Sequence, residues 1–200
     1  MNKTDIIDKL LKLAILLMRS SGELYTKPFL DLLEEKFREV DLPATTLPVL
    51  RYAPLLFKQS TLATLPFVKE FVGEIGNLNW RQTYDRCDRP GLDFLNNYGF
   101  SALVSPAGPF ASEKVRLGVL FLGPHTLYPE HAHAAEELYL ILSGCAAWSQ
   151  AGQQPRSEEP GKMIFHRSNV WHSVQTFEEP LLALYAWRGA NNSVPKSYFR

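Results

Sequence analysis

The 200-residue chain is 46% hydrophobic and 21% charged, with Lys+Arg and Asp+Glu both at 21 and a formal net charge of zero. A chain of this length and composition can bury a core in one elaborated domain or in two small ones, so bulk disorder is excluded. No basic surplus is available to neutralise phosphates, which argues against nucleic acid as a partner and leaves a small neutral or zwitterionic ligand as the better fit.

The first expected element is a helix over residues 4–19. Ile6, Ile7, Leu10, Leu11, Leu13, Ile15, Leu16, Leu17 and Met18 form a dense apolar stretch that Asp5, Asp8, Lys9 and Lys12 interrupt. The stretch is too short and too charged for a transmembrane helix and lacks the ordered regions of a signal peptide, so it reads as an amphipathic helix packed on the body. A second helix is expected from Pro28 to Val40, where Phe29, Leu32, Leu33 and Phe37 recur every three to four residues. A third covers roughly residues 60–75, with Leu65, Phe67, Val68, Phe71, Val72 and Ile75 on its apolar face. Pro43, Pro48 and Pro54 punctuate the connection between the second and the third.

After Asn79 the signals become short and β-like: Phe100–Val104, Val115–Leu122, Glu137–Leu142, Ala146–Gln150, Met163–His166 and Leu181–Trp187. Gly and Pro turns separate them, including Gly123-Pro124, Ser143-Gly144 and Pro160-Gly161. The chain therefore divides into a helical segment, 1–78, packed on a β-barrel or antiparallel sandwich, 79–200, whose inward side chains can line a ligand cavity. Cys87 and Cys145 stand apart with no CxxC spacing, so neither a zinc ribbon nor a disulfide framework is expected, and a reducing cytoplasm is the default compartment.

All five histidines lie between positions 125 and 172. In an extended run, His131, His133, Glu137 and Tyr139 share parity, which points two imidazoles, a carboxylate and a phenol to one face, with Ala135 leaving that face open. Glu136 falls on the opposite face. A third imidazole from a neighbouring strand, His172, completes a three-His-one-Glu set suited to one divalent transition metal ion: zinc, iron, manganese, nickel or cobalt. The donor set does not choose among these metals.

This run resembles the first cupin motif, His-x-His followed by Glu and then Gly, on His131, His133, Glu137 and Gly144. The second cupin motif is matched in spacing at Gly161 and His172, with Arg167, Asn169 and Thr176 where proline, glycine and asparagine are usual. Asn is the commonest non-glycine residue at positive φ, so Asn169 can hold the turn. The upstream glycine, Gly123, is displaced by two residues. The resemblance implies a mainly β fold, a cupin barrel with an N-terminal helical segment.

With Tyr139 two residues beyond the carboxylate and Tyr128 three residues before His131, the chain resembles the cupin-type dimethylsulfoniopropionate lyases, which release dimethyl sulfide and acrylate. That resemblance implies a small zwitterionic sulfonium substrate, neither nucleic acid nor membrane as partner, and a metal that stabilises the charge building on the substrate carboxylate. It leaves the oligomeric state open. The base is expected to be Tyr139, whose phenol, with an ordinary pKa near ~10, is drawn toward phenolate by a nearby divalent cation. Tyr128 is the second candidate, as base or as the group that orients the carboxylate. A sulfonium carries a fixed charge and no proton, so its natural receptor is an aromatic face. Trp187 and Trp80, with Trp171, Tyr185 and Phe165, are the candidates.

His125 and His166 have no motif-defined position; either could stand behind the ligands, or His166 could face solvent. Two other readings use the same ligands: an iron cupin dioxygenase and a non-catalytic cupin metal or ligand sensor. Regulators of the second kind carry a His and Cys cluster in the helical part, and residues 1–78 contain neither residue type.

Overall fold

Among the described residues four α-helices, α1 (Lys3–Ser20), α2 (Lys27–Leu33), α3 (Leu65–Glu74) and α4 (Leu92–Asn96), accompany a series of strands in the computed structural model. The strands are β1 (Arg38–Glu39), β2 (Trp80–Arg81), β3 (Tyr98–Ser105), β4 (Phe110–Ala111), β5 (Val115–Leu122), β6 (Leu127–Ala132), β7 (Glu136–Ser143), β8 (Ala146–Gln150), β9 (Arg156–Glu158), β10 (Met163–His166), β11 (His172–Thr176), β12 (Leu181–Arg188) and β13 (Lys196–Ser197). The structure describes residues 3–84, 91–189 and the backbone of 196–197; Cys87 lies outside them.

Period-two alternation builds the frame. In β7, Leu138, Leu140 and Leu142 enter one apolar cluster while Tyr139 and Ile141 enter another; in β12, Leu182, Leu184 and Ala186 separate in the same way from Leu181, Ala183, Tyr185 and Trp187. Both faces of the larger sheet are therefore buried, one under the helices and one inside the barrel. That sheet has eight strands in the order β1-β4-β3-β5-β12-β7-β10 with β2 on β3, and a five-stranded sheet, β13-β6-β11-β8-β9, faces it. Together they form the cupin barrel that the motifs imply.

The helices cover the outer face. Ile6, Ile7, Leu10, Leu11, Ala14 and Met18 of α1 are buried at helical spacing, and the Lys9–Glu70 ion pair at 2.5 Å ties α1 to α3. Among the described residues no helix is long and apolar enough to cross a membrane. The second helix stops at Leu33 rather than Val40, because Phe37 turns to pack on Phe110, with ring centroids 6.1 Å apart, and Arg38–Glu39 pair with β4. Strand pairing here overrides helical periodicity. The proline-rich connection is also ordered: Pro48–Gln59 winds as a 3-10 helix that buries Val49, Ala53 and Leu56. Pro54 inside it would clash with the carbonyl four residues back in α geometry, and the apolar spacing was masked by the prolines.

The turn between β7 and β8 places Gly144 at φ +83°, where a Cβ would lie 2.0 Å from the carbonyl oxygen of Pro180. Gly144→Ala should therefore cost about 2–3 kcal/mol and lower Tm by on the order of 6 °C in thermal denaturation. A Tm within about 1 °C of wild type would mean that the turn reshapes freely.

Candidate metal centre

Four side chains from separate segments meet inside the barrel: His131 on β6, His133 in the turn after it, Glu137 on β7 and His172 on β11. The 131–139 run is not one strand. It crosses from the five-stranded to the eight-stranded sheet, with the turn at His133–Ala135 between them. Shared parity therefore does not bring these residues together; barrel closure does. His131 and His172 are a register pair on β6 and β11, while Glu137 reaches them from the opposite sheet. Ala135 is fully buried in the turn, and Glu136 points away to an ion pair with Arg188.

One candidate ligand atom from each residue lies within 4.8 Å of all the others, and all four side chains are buried. Each imidazole places Nδ1 against a backbone carbonyl two residues away: His131 on Pro129 at 2.9 Å, His133 on Ala135 at 3.0 Å and His172 on Val170 at 2.9 Å. With Nδ1–H donated, each Nε2 presents a bare lone pair. Two of these Nε2 atoms lie 3.0 Å (His133) and 3.1 Å (His172) from Oε2 of Glu137. Lone pairs at such distances repel unless a cation lies among them. A proton on His133 is one solution, and a divalent metal ion is the one that uses all four groups. The residues thus fit such an ion, and the second Glu137 oxygen, Oε1, is held by the Trp187 indole N–H at 2.5 Å.

Charge in the cluster is finely divided. Burial would lift the Glu137 carboxyl, but the His133 and His172 imidazoles beside it hold it well below the usual carboxylate range. Burial would likewise depress His133, yet its bond to Glu137 and that residue's charge raise it above 6.5. His131 is pushed well below 6.5 by burial and by the neighbouring His172, so it stays neutral and ready to ligate.

Tyr139 lies on the same inward side of β7 as Glu137, with its ring 4.9 Å from that of Trp148 and 5.9 Å from that of His166. Burial, and then the charge and hydrogen bond of Glu137, raise its hydroxyl well above 10. Tyr128 stacks on the His131 ring at 4.2 Å and belongs to an aromatic wall with Tyr84, Phe94 and Tyr98. Trp187, besides holding Glu137, stacks on His133 at 4.0 Å.

Trp80, expected among the substrate-binding residues, does not join this group. It belongs to the outer core, packed on Phe71 and Phe121, with its N–H donated to the Ile75 carbonyl at 3.0 Å. Phe165 also faces outward, stacked on Tyr25 at 5.4 Å. His125 is exposed beside Glu178, whereas His166 is buried within the barrel, stacked on His172 at 4.0 Å. Asn169 takes the positive φ its motif position requires, 59°. Thr176, at the motif's last position, donates its hydroxyl to the Gly123 carbonyl at 2.6 Å and accepts the Thr126 N–H at 2.8 Å. Trp148, Gln150, Phe94 and Tyr98 carry no motif; the strand parity of Trp148 and Gln150 was their only sequence signal.

Comparison with known proteins finds similar chains in sequence and in fold. The family profile for dimethylsulfoniopropionate lyase matches residues 26–183. The chain is 38% identical over 116 residues to the dimethylsulfoniopropionate lyase DddQ of Ruegeria pomeroyi, a match covering 58% of this chain and 57% of that protein. The crystal structure of DddQ from Ruegeria pomeroyi DSS-3 superposes with a TM-score of 0.81 at 29% identity, covering 96% of this chain and 95% of that one. A chain from the crystal structures of the DMSP lyases RdDddP and RnDddQII superposes with a TM-score of 0.86 at 28% identity, covering 99% and 100%.

Trp187→Phe keeps a ring over His133 but removes the donor to Glu137. Metal affinity measured by chelator competition should fall about tenfold; an unchanged affinity would show that the indole N–H does not hold the carboxylate. In the wild type, affinity should weaken as pH falls, because protons compete for His133, and the onset should lie above 6.5 since its pKa is raised.

Proposed function

Because the chain belongs to the dimethylsulfoniopropionate lyase family, we propose that it is a carbon–sulfur lyase cleaving dimethylsulfoniopropionate to dimethyl sulfide and acrylate by β-elimination, with Tyr139 as the base. The observation that carries the reading is the position of Tyr139, buried inside the barrel two residues along β7 from Glu137 of the candidate metal cluster and on the same face of that strand.

The reaction needs little else from the chain. As a phenolate, Tyr139 takes the proton from the carbon next to the substrate carboxylate; the freed electron pair forms the carbon–carbon double bond, and the carbon–sulfur pair leaves with sulfur. Dimethyl sulfide departs neutral, so no general acid is required, and Tyr139 returns its proton to solvent. His131, His133, Glu137 and His172 are the residues that hold the ion. Bound there, a divalent transition metal ion would stabilise the charge that builds on the substrate carboxylate and would offset the burial and the Glu137 charge that keep Tyr139 protonated.

Tyr128, with Phe94, Tyr98 and Tyr84, offers the aromatic surface a sulfonium prefers. Trp187 is already engaged by Glu137, His133 and the Arg116 guanidinium 5.4 Å from its ring centre. Its part is therefore to fix two ligands, and the sulfonium is assigned to the Tyr128 wall. The four candidate ligands, Tyr128 and Tyr139 are all buried, which strengthens the charge interactions among them.

Tyr139→Phe should abolish dimethyl sulfide release, by at least about 10²-fold as expected for loss of a proton-transfer group, with metal content near wild type. Headspace dimethyl sulfide from metal-loaded protein without oxygen, beside metal analysis of the same samples, measures both. Equal loss of metal and turnover would make Tyr139 a ligand or structural residue, and an absolute oxygen requirement would overturn the elimination.

A further inference from the structure

The candidate ligands are divided between the two sheets: Glu137 belongs to the eight-stranded sheet, His131 and His172 to the five-stranded one. Each ladder fixes spacings within its own sheet. The distance from carboxylate to imidazoles depends on whatever holds one sheet against the other.

On the site's open side, β10 ends the order of the large sheet and β8 and β9 end that of the small one, with no pairing between them among the described strands. A cleft of about 90 Å³, lined by Gln150, Ile164 and His166 among others, marks this gap. Among the described residues one side-chain hydrogen bond crosses it beside the ligands: His166 Nδ1 and Gln150 Oε1 are 2.8 Å apart.

Both ends of that contact stand at ligand positions. His166 is the register partner of Glu137 on β10 and β7, and Gln150 is the register partner of His172 on β8 and β11. The His166 ring also lies on the His172 ring, with centroids 4.0 Å apart and planes within 10°. We propose that the Gln150–His166 hydrogen bond is a clasp between the two sheets, and that both are positioning residues setting the distance and angle between Glu137 and His172.

The remaining chemistry of His166 agrees. Only 1% of the residue is exposed, and with Nδ1–H donated to Gln150 its Nε2 has no partner among the described residues. That nitrogen is not one of the four converging ligand atoms. A buried imidazole with one nitrogen bonded across the sheets and the other idle is a spacer for its neighbours.

The proposal rests on the metal reading of the four ligands, and cobalt(II) tests the two separately. Wild-type protein should bind one cobalt per chain, tightly enough for chelator competition, with a visible spectrum sensitive to ligand geometry. Gln150→Leu and His166→Phe should each weaken cobalt affinity about tenfold and shift that spectrum at saturating metal. Gln150→Glu, which keeps an acceptor for the His166 N–H, should restore affinity to within about threefold of wild type. Two variants at different positions guard against one that fails to fold. Wild-type affinity and spectrum in either folded Leu or Phe variant, even with a lowered Tm, would overturn the clasp and leave a contact that serves stability alone. Absence of stoichiometric cobalt binding by wild type would overturn the metal reading and the clasp with it.

Discussion

The carboxylate of Glu137 is the group on which the rest of the site depends. It is 1% exposed, and an ionised carboxylate at that depth costs several kcal/mol unless its charge is answered locally. The answers come from three separate parts of the chain: the Trp187 N–H from β12, and the imidazoles of His133 and His172, from a turn and from β11, with the proton or metal ion they hold between themselves and the carboxylate. None of these is local to Glu137 except His133. The barrel must close before the charge is met, so fold and site form together.

The eight-stranded sheet separates stability from chemistry by its two faces. Outside, Leu10, Phe29, Phe67 and Phe71 pack in one apolar cluster with the leucines and valines of β5, β7 and β12. Inside, Tyr98, Tyr128, Tyr139 and Tyr185 put hydroxyls among aromatic rings, and burial raises the pKa of every one of them. A buried interior of this kind disfavours a phenolate on its own. It also magnifies the effect of any cation placed among the ligands, so the same burial that silences Tyr139 makes it responsive to what the cluster holds.

Much of the molecule was legible in advance because it rests on local periodicity. The apolar spacing of residues 4–19 and the alternation of Val115–Leu122 and Leu181–Trp187 each specify an element whatever surrounds it. Asn169 could be placed at positive φ from its residue type and motif position alone. The ends of elements were less legible. The second helix was expected to reach Val40 and yields at Leu33, because pairing of β1 with β4 lies beyond any local window. The 3-10 helix at Pro48–Gln59 was hidden by its prolines.

By itself, the sequence determined which chemical groups are available: three imidazoles and a carboxylate at cupin spacing, with a tyrosine two residues beyond the carboxylate. Only the tertiary structure decided how they meet. Parity along one extended run was the wrong route to the right cluster, since a turn at His133–Ala135 sends the two halves of the motif into different sheets. Tertiary structure also sent Trp80 to the outer core and Trp187 to Glu137 and His133, two residues alike in type, and brought His166 against His172 without any motif to announce it. The physical reason is common to all three cases. Alternation says that a side chain leaves a strand on one face or the other, but which face becomes the interior, and what waits there, is fixed by strands distant in the chain.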